Sequence, residues 1–300
     1  LAGIGLVWLG YLAISPNLQF QTTFYDRWAD RATGLTAFII DRLPFPEAYR
    51  VGIRFAAAFD LCGTRAAFLL GETYSGGRFS FYPVILALKT PLGTLSLWAA
   101  GIVTILGRAR RADVLWVLVP IPATVLVASM ASNTNIGIRH IAVVPMFAAI
   151  VAGGLVVRFR NRRAAGAVVL LIALTAVSVW RTFPSQLSYV NEAFGGPSNA
   201  HNLVADSNVD WGQDLGRLAR YLASHPTKQP VWLMYFGSAD PAAYGIKAQN
   251  ARNADRGDIH GFVAISVSWL NLAPSSWYWI VEQGSLQARV GDTILIYEVP

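Results

Sequence analysis

Asn133-Thr-Asn-Ile-Gly-Ile-Arg-His-Ile-Ala-Val-Val-Pro145 is a polar, glycine-containing turn that carries Arg139 and His140 and runs straight into an apolar segment. An arginine and a histidine at the mouth of a membrane helix are expensive to place and suit an anionic headgroup. The turn has no acidic residue to pair with Arg139. A guanidinium matches phosphate by bidentate geometry. The turn therefore reads as the membrane mouth of a site for a phosphate-bearing lipid. The bland alternative makes Arg139 a headgroup anchor at a helix end and His140 a cap or filler.

Outward from this turn, the composition fits a bilayer. The chain is 54% hydrophobic and only 14% charged, against roughly 25% charged in an average globular chain. The charges are clustered and leave long apolar runs between them. The net charge of +7 sits in short Arg groups between those runs, which favours membrane orientation over nucleic-acid binding. The single Cys62 excludes an internal disulfide and any cysteine-based zinc site.

On the upstream side, Leu1–Ile14 is an apolar run shorter than the roughly 20 residues a span needs. It carries neither an initiator Met nor a basic leader, so it reads as the end of a helix begun in a longer protein. Residues 15–80 form a long connection. Within it Thr33–Ile40 and Val51–Leu70 show helical spacing of apolar positions and read as amphipathic helices at the interface, separated by the extended Leu43-Pro-Phe-Pro46. Phe81–Leu106 is long enough to cross, with Lys89 and Pro91 inside it and a kink expected at the proline. Val114–Met130, Ile141–Val157 and Ala164–Val179 complete four crossings. The Arg108–Arg111 and Arg158–Arg163 loops set the cytoplasmic face. Residues 15–80, the Asn133–His140 turn and everything after Trp180 then lie outside.

Downstream, Asp214–Ser224 has a helical pattern, and Pro230–Phe236, Gly261–Val267 and Thr293–Val299 read as strands. The expected fold class is thus an α-helical multi-pass membrane bundle, about four complete spans plus one truncated, over residues 1–181. A small extracytoplasmic α/β domain follows over 182–300. The expected location is the inner cell membrane.

The second polar cluster is Asp206-Ser-Asn-Val-Asp-Trp-Gly-Gln-Asp214. Asp206, Asn208 and Asp210 begin a calcium-loop spacing. The glycine comes one place late, and Arg217 stands where that loop needs a bidentate Glu. Capping of the following helix by Asp210 or a neighbour is the better reading. Hydrogen bonding to sugar hydroxyls is compatible with it, which makes Asp206, Asp210 and Trp211 candidates for an acceptor or sugar site. Glu72, Tyr74, Arg78 and Tyr82 either line an outer polar cavity, which makes Glu72, Arg78 and Tyr82 further acceptor- or sugar-site candidates, or sit at the interface. Trp269, Trp277, Tyr278 and Trp279 form an aromatic group suited to sugar stacking or to core packing. No catalytic triad, phosphate loop, dinucleotide fingerprint or metal-ligand set is visible, and the four histidines are scattered.

Several motifs recur in order. They are Leu43-Pro-Phe-Pro-Glu-Ala-Tyr49 with Gly52, Phe68-Leu-Leu-Gly71, Phe81-Tyr-Pro83 and Leu88-Lys-Thr-Pro91. Asn135-Ile-Gly-Ile-Arg-His140 with Pro145, Leu187-Ser-Tyr-Val-Asn191 with Gly195-Gly-Pro197, and Asp206 through Leu215 follow. Together the chain resembles the C-terminal half of bacterial membrane glycosyltransferases of the GT-C type, related to protein mannosyltransferases and aminoarabinose transferases. The resemblance implies transfer of a sugar from a polyprenyl-phosphate donor to a glycan, lipid or protein acceptor on the extracytoplasmic side. It also implies an essential acidic residue in an early outer loop, upstream of Leu1, so this half is expected to be inactive alone. Such a carboxylate deprotonates the acceptor while an oxocarbenium-like centre develops. The residues present would stabilise the leaving phosphate. Arg139 is the first donor-phosphate candidate, with His140 and Lys89 behind it. No cofactor beyond the lipid-linked donor is implied, and a divalent metal is left open. The competing readings are a lipid-linked sugar transporter, which predicts paired broken helices, and a membrane-anchored glycan-binding module.

Overall fold

The computed structural model describes residues 2–20, 29–63, 65–106, 116, 118–158 and 162–300. The chain divides into two compact units. One comprises residues 1–65, 75–78 and 132–134; the other comprises 66–74, 79–131 and 135–300.

The first unit holds α1 (Ala2–Ile14), α2 (Gly34–Asp41) and α3 (Glu47–Cys62). Trp8 Nε1 donates to the Pro44 carbonyl at 3.1 Å, tying α1 to the Leu43–Pro46 turn. The helix expected over Val51–Leu70 stops at Cys62, where Gly63 takes φ +55° and ends it. Ala66–Leu69 (β1) and Glu72–Ser75 (β2) form a two-stranded sheet instead.

The second unit contains α4 (Phe81–Lys89), α5 (Leu92–Leu106), α6 (Pro120–Ala131), α7 (Val143–Arg158) and α8 (Arg162–Arg181). The expected multi-pass bundle of about four spans is overturned here. Among the described residues only α8 is long and apolar enough to cross a membrane. A second candidate exists only if Phe81–Lys89 and Leu92–Ile105 are taken together, and these bend by 117°. α1, α6 and α7 are too short. An apolar run in sequence is not a continuous helix. Pro91 lacks an N–H and frees carbonyls of the preceding turn. Asn191 takes up those carbonyls: its N–H donates to Leu88 O at 2.9 Å, and its amide donates to Ala87 O and Thr90 O at 2.6 and 3.0 Å. The break is therefore a built junction with its backbone groups satisfied. The expected Arg108–Arg111 loop, the middle of the Arg158–Arg163 loop and the start of the Val114–Met130 span lie outside the described residues.

α5 packs on α7 and α8, and Thr94 and Thr175 share a hydroxyl hydrogen bond of 3.2 Å between α5 and α8. These helices turn large apolar side chains outward, among them Val103, Ile150, Val169, Leu170 and Trp180.

The polar C-terminal part forms the α/β layer that its patterning predicts. The five-stranded sheet has the order β4-β3-β5-β7-β6, with β3 (Val231–Met234), β4 (Gln249–Asn250), β5 (Gly261–Ser266), β6 (Ser285–Val290) and β7 (Ile294–Val299). β4, β3 and β5 are parallel; β7 and β6 are antiparallel additions. Alternation sorts the side chains. Leu233, Ala264, Ile294 and Ile296 face α9 (Leu215–Ser224), which buries Leu215 and Leu218 against them. Trp232, Met234, Val263, Ile265 and Tyr297 face the other way. Their core is continuous with Tyr82, Ile85 and Leu88 of α4 and with Ile141. The sheet and α4 therefore share one hydrophobic core.

Candidate functional site

The Asn135–Ile141 turn and the Asp206–Asp214 loop are joined by side-chain bonds. Asn208 does most of this: its Oδ1 accepts from the Ile138 N–H at 3.0 Å and its Nδ2 donates to Ile136 O at 2.8 Å. This is a strand-like exchange made by one buried amide, and it fixes Ile136–Ile138 just before Arg139. Gly137 leaves room for the close approach: a Cβ there would lie 2.5 Å from Ser207 Oγ, so that hydroxyl would have to turn away. Lys89 completes the junction. Its ammonium donates to Leu187 O at 2.6 Å and to Asn208 O at 2.5 Å. Lys89 therefore acts as a tie between segments, and its donors do not face an open phosphate site.

On this platform the Ile138–Ile141 turn of 3-10 helix presents Arg139 and His140 to the outside; both are exposed. The Arg139 guanidinium lies 5.0 Å from the centroid of the Trp211 ring, which is itself 54% exposed. No carboxylate pairs with Arg139 among the described residues. An indole face orients a guanidinium without neutralising it. The pair is thus a positioned cation with open donors, the arrangement that can accept a phosphate oxygen pair.

The other candidates disperse. Tyr82 is only 2% exposed and belongs to the core beside Phe81, so the outer polar cavity expected around it does not include it. Tyr74 donates to Asn135 Oδ1 at 3.0 Å and braces the turn from the β-hairpin. Glu72 is exposed on β2, and Arg78 belongs to the first compact unit. Asp206 is buried with φ +56°, and its carboxylate accepts from the Ser207 N–H at 2.6 Å.

The three aspartates of the loop do different work. Asp214 stands at the start of α9 but does not cap it. Its carboxylate accepts from Asp292 N, Thr293 N and Thr293 Oγ1 at 3.0, 3.2 and 2.8 Å, and pairs with Arg217 at 2.7 Å. It therefore organises the β6–β7 turn. Gly291 is required there: its φ is +60°, and a Cβ would meet the Asp214 carboxylate at 2.3 Å.

Asp210 is fully buried. Burial pushes its pKa up to about 7, against the Gly212 N–H and the Ser266 hydroxyl, which favour the charged form; the Asp214 charge raises it further and Ser268 opposes it. The Gly212 N–H donates to Oδ1 at 3.0 Å. Oδ2 and the Ser268 hydroxyl are near enough to interact electrostatically, yet neither finds an aligned hydrogen-bond partner.

Among the described residues no group of three or more His, Cys, Asp or Glu side chains is gathered as a metal cage. The aromatic group separates: Trp279 is core, Tyr278 is exposed, and Trp269 lies in the short helix Val267–Leu272 that follows β5. Sequence reasoning missed Asn208 as the joining residue and Asn191 as the cap of the α4–α5 break. Their signal was only that an amide sat within each apolar-polar motif. Their carbonyl partners are 72 and about 100 residues away.

The chain matches no family model, no curated protein and no solved structure.

Proposed function

We propose that this chain supplies the donor-phosphate side of an extracytoplasmic, membrane-bound glycosyl transfer that uses a polyprenyl-phosphate sugar. The observation that carries the reading is Arg139: an exposed guanidinium, stacked on Trp211, with no carboxylate partner among the described residues. The turn that presents it is pinned by Asn208. A leaving polyprenyl phosphate gains charge as the glycosidic bond breaks, and a prepositioned guanidinium stabilises that charge. Trp211 offers the lipid or sugar an apolar face beside the cation. α8 supports placement at a bilayer, since only 6% of its apolar window is buried. Asp210 is fully buried and is not read as the general base.

The test is binding of a polyprenyl monophosphate in lipid nanodiscs to the full 300-residue chain. Arg139→Ala should weaken binding by roughly 10–100-fold, the loss of a charge-assisted bidentate contact worth about 1.5–3 kcal/mol. Arg139→Lys should recover only part of it, because a single ammonium lacks the fork. Equal affinity in all three proteins would remove the assignment.

A further inference from the structure

We infer that the cleft at the C-terminal ends of the parallel strands β3 and β4 is a binding subsite for a small neutral saccharide. The cleft is about 370 Å3, within the roughly 300–1,000 Å3 typical of ligand pockets. It opens beyond Met234 of β3 and along Gln249–Asn250 of β4. In open sheets ligands bind beyond the carboxyl ends of parallel strands. Ile246 and Ala248 give it an apolar floor, while Asp240, Asn250, Arg252 and Trp269 supply the chemistry.

Those four side chains are pre-set. Asp240 Oδ1 accepts from the Ala242 N–H at 3.0 Å, which leaves its second oxygen as an unspent acceptor. Asn250 Oδ1 accepts from the Arg252 N–H at 3.0 Å, which leaves its amide NH2 as an unspent donor. Trp269 donates its indole N–H to Tyr235 O at 3.1 Å and meets Phe236 edge to face at 5.7 Å, so its ring plane is held. The Arg252 guanidinium lies 5.2 Å from that ring and has no carboxylate partner among the described residues. A fixed carboxylate and a fixed guanidinium on one rim suit hydroxyls, which donate to one and accept from the other. The Asp240 carboxylate offsets the pull of Arg252 on an anion and so favours a neutral ligand over a charged one. The aromatic wall suits the C–H face of a sugar ring. The assignment stands on this cleft alone and does not rest on the donor reading of Arg139.

The experiment titrates neutral methyl glycosides (mannoside, galactoside and glucoside pyranosides) into the full chain held in a zwitterionic detergent without sugar headgroups. Saturation-transfer NMR and tryptophan fluorescence report binding, with inorganic phosphate as the comparison probe. At least one glycoside is expected to bind saturably. Trp269→Ala and Arg252→Met should each weaken it by roughly tenfold or more, the loss of one stacking face or one charged donor. Trp269 also packs on Phe236. If its alanine variant does not fold, Arg252→Met carries the test, since that change keeps the stem and removes only the donors. Absence of glycoside binding, indifference to Arg252→Met, or Arg252-dependent binding of phosphate in place of the glycosides would overturn the proposal.

Discussion

Asp210 is the residue whose burial most directly predicts behaviour in solution. Its carboxyl titrates near 7 in the folded chain and near 3.8 when unfolded. The folded state therefore holds the proton more tightly between those values. The contribution of Asp210 to stability is greatest below about pH 4, falls as pH rises toward 7, and is level above it. Asp210→Asn keeps an acceptor for the Gly212 N–H and removes the titration. The variant should melt close to the wild type at pH 4 and clearly above it at pH 8, by an amount on the order of a few kcal/mol. Melting curves from pH 4 to 8 check this, and a constant difference across the series would mean the carboxyl does not titrate in that window. Arg139 is the functional counterpart at this scale. Its candidacy for the donor phosphate was read from the lack of an acidic neighbour in its turn. Its stacking on Trp211 was not, because 72 residues separate the guanidinium from the indole in sequence.

Between elements, the decisive bonds run through Asn208. Asn208→Ala removes one donor and one acceptor from a buried site and leaves Ile136 O and Ile138 N–H unpaired. A loss of about 2–4 kcal/mol is expected, with weaker polyprenyl-phosphate binding although Asn208 touches no ligand. Asn208→Asp retains the acceptor toward the Ile138 N–H but sets a carboxylate oxygen against Ile136 O in a buried site, and should lose at least as much. Denaturant midpoints of the two variants give the ordering; a clearly smaller loss for Asn208→Asp would show that the donor to Ile136 O contributes little. The helices teach a related lesson. The break at Pro91 was legible in outline, since proline inside an apolar run must free a carbonyl. Its size was not, because 117° depends on Asn191 arriving from another segment to satisfy the freed carbonyls. With that partner the chain turns sharply, and among the described residues the expected count of spans falls.

For the whole molecule, α8 makes the sharpest prediction. Its outward apolar residues should hold the chain at a bilayer. Replacing the exposed Leu170 and Leu174 by Asp costs roughly 2.5–3.5 kcal/mol each at a helix centre in lipid and little in water. The double variant should fail to float with phosphatidylethanolamine–phosphatidylglycerol vesicles, whereas the wild type should float. Continued flotation would assign membrane contact to other surfaces. The C-terminal sheet gives no such reading, since its two faces are covered by α9 and by the core shared with α4.

By itself the sequence determined what is local. Strands β3, β5 and β7 follow from short apolar runs bounded by turn residues, whereas β4 and β6 were not foreseen; α9 follows from leucines at helical spacing, and the polar loops from their amides, glycines and aspartates. Burial and hydrogen bonding within a few residues decide those features. Only the tertiary structure decided how many apolar runs become long helices, which of the loop's aspartates is structural, and which aromatic ring meets which guanidinium. Each of those outcomes depends on a partner from a distant segment satisfying a polar group or covering a ring. Sequence spacing carries no record of that meeting.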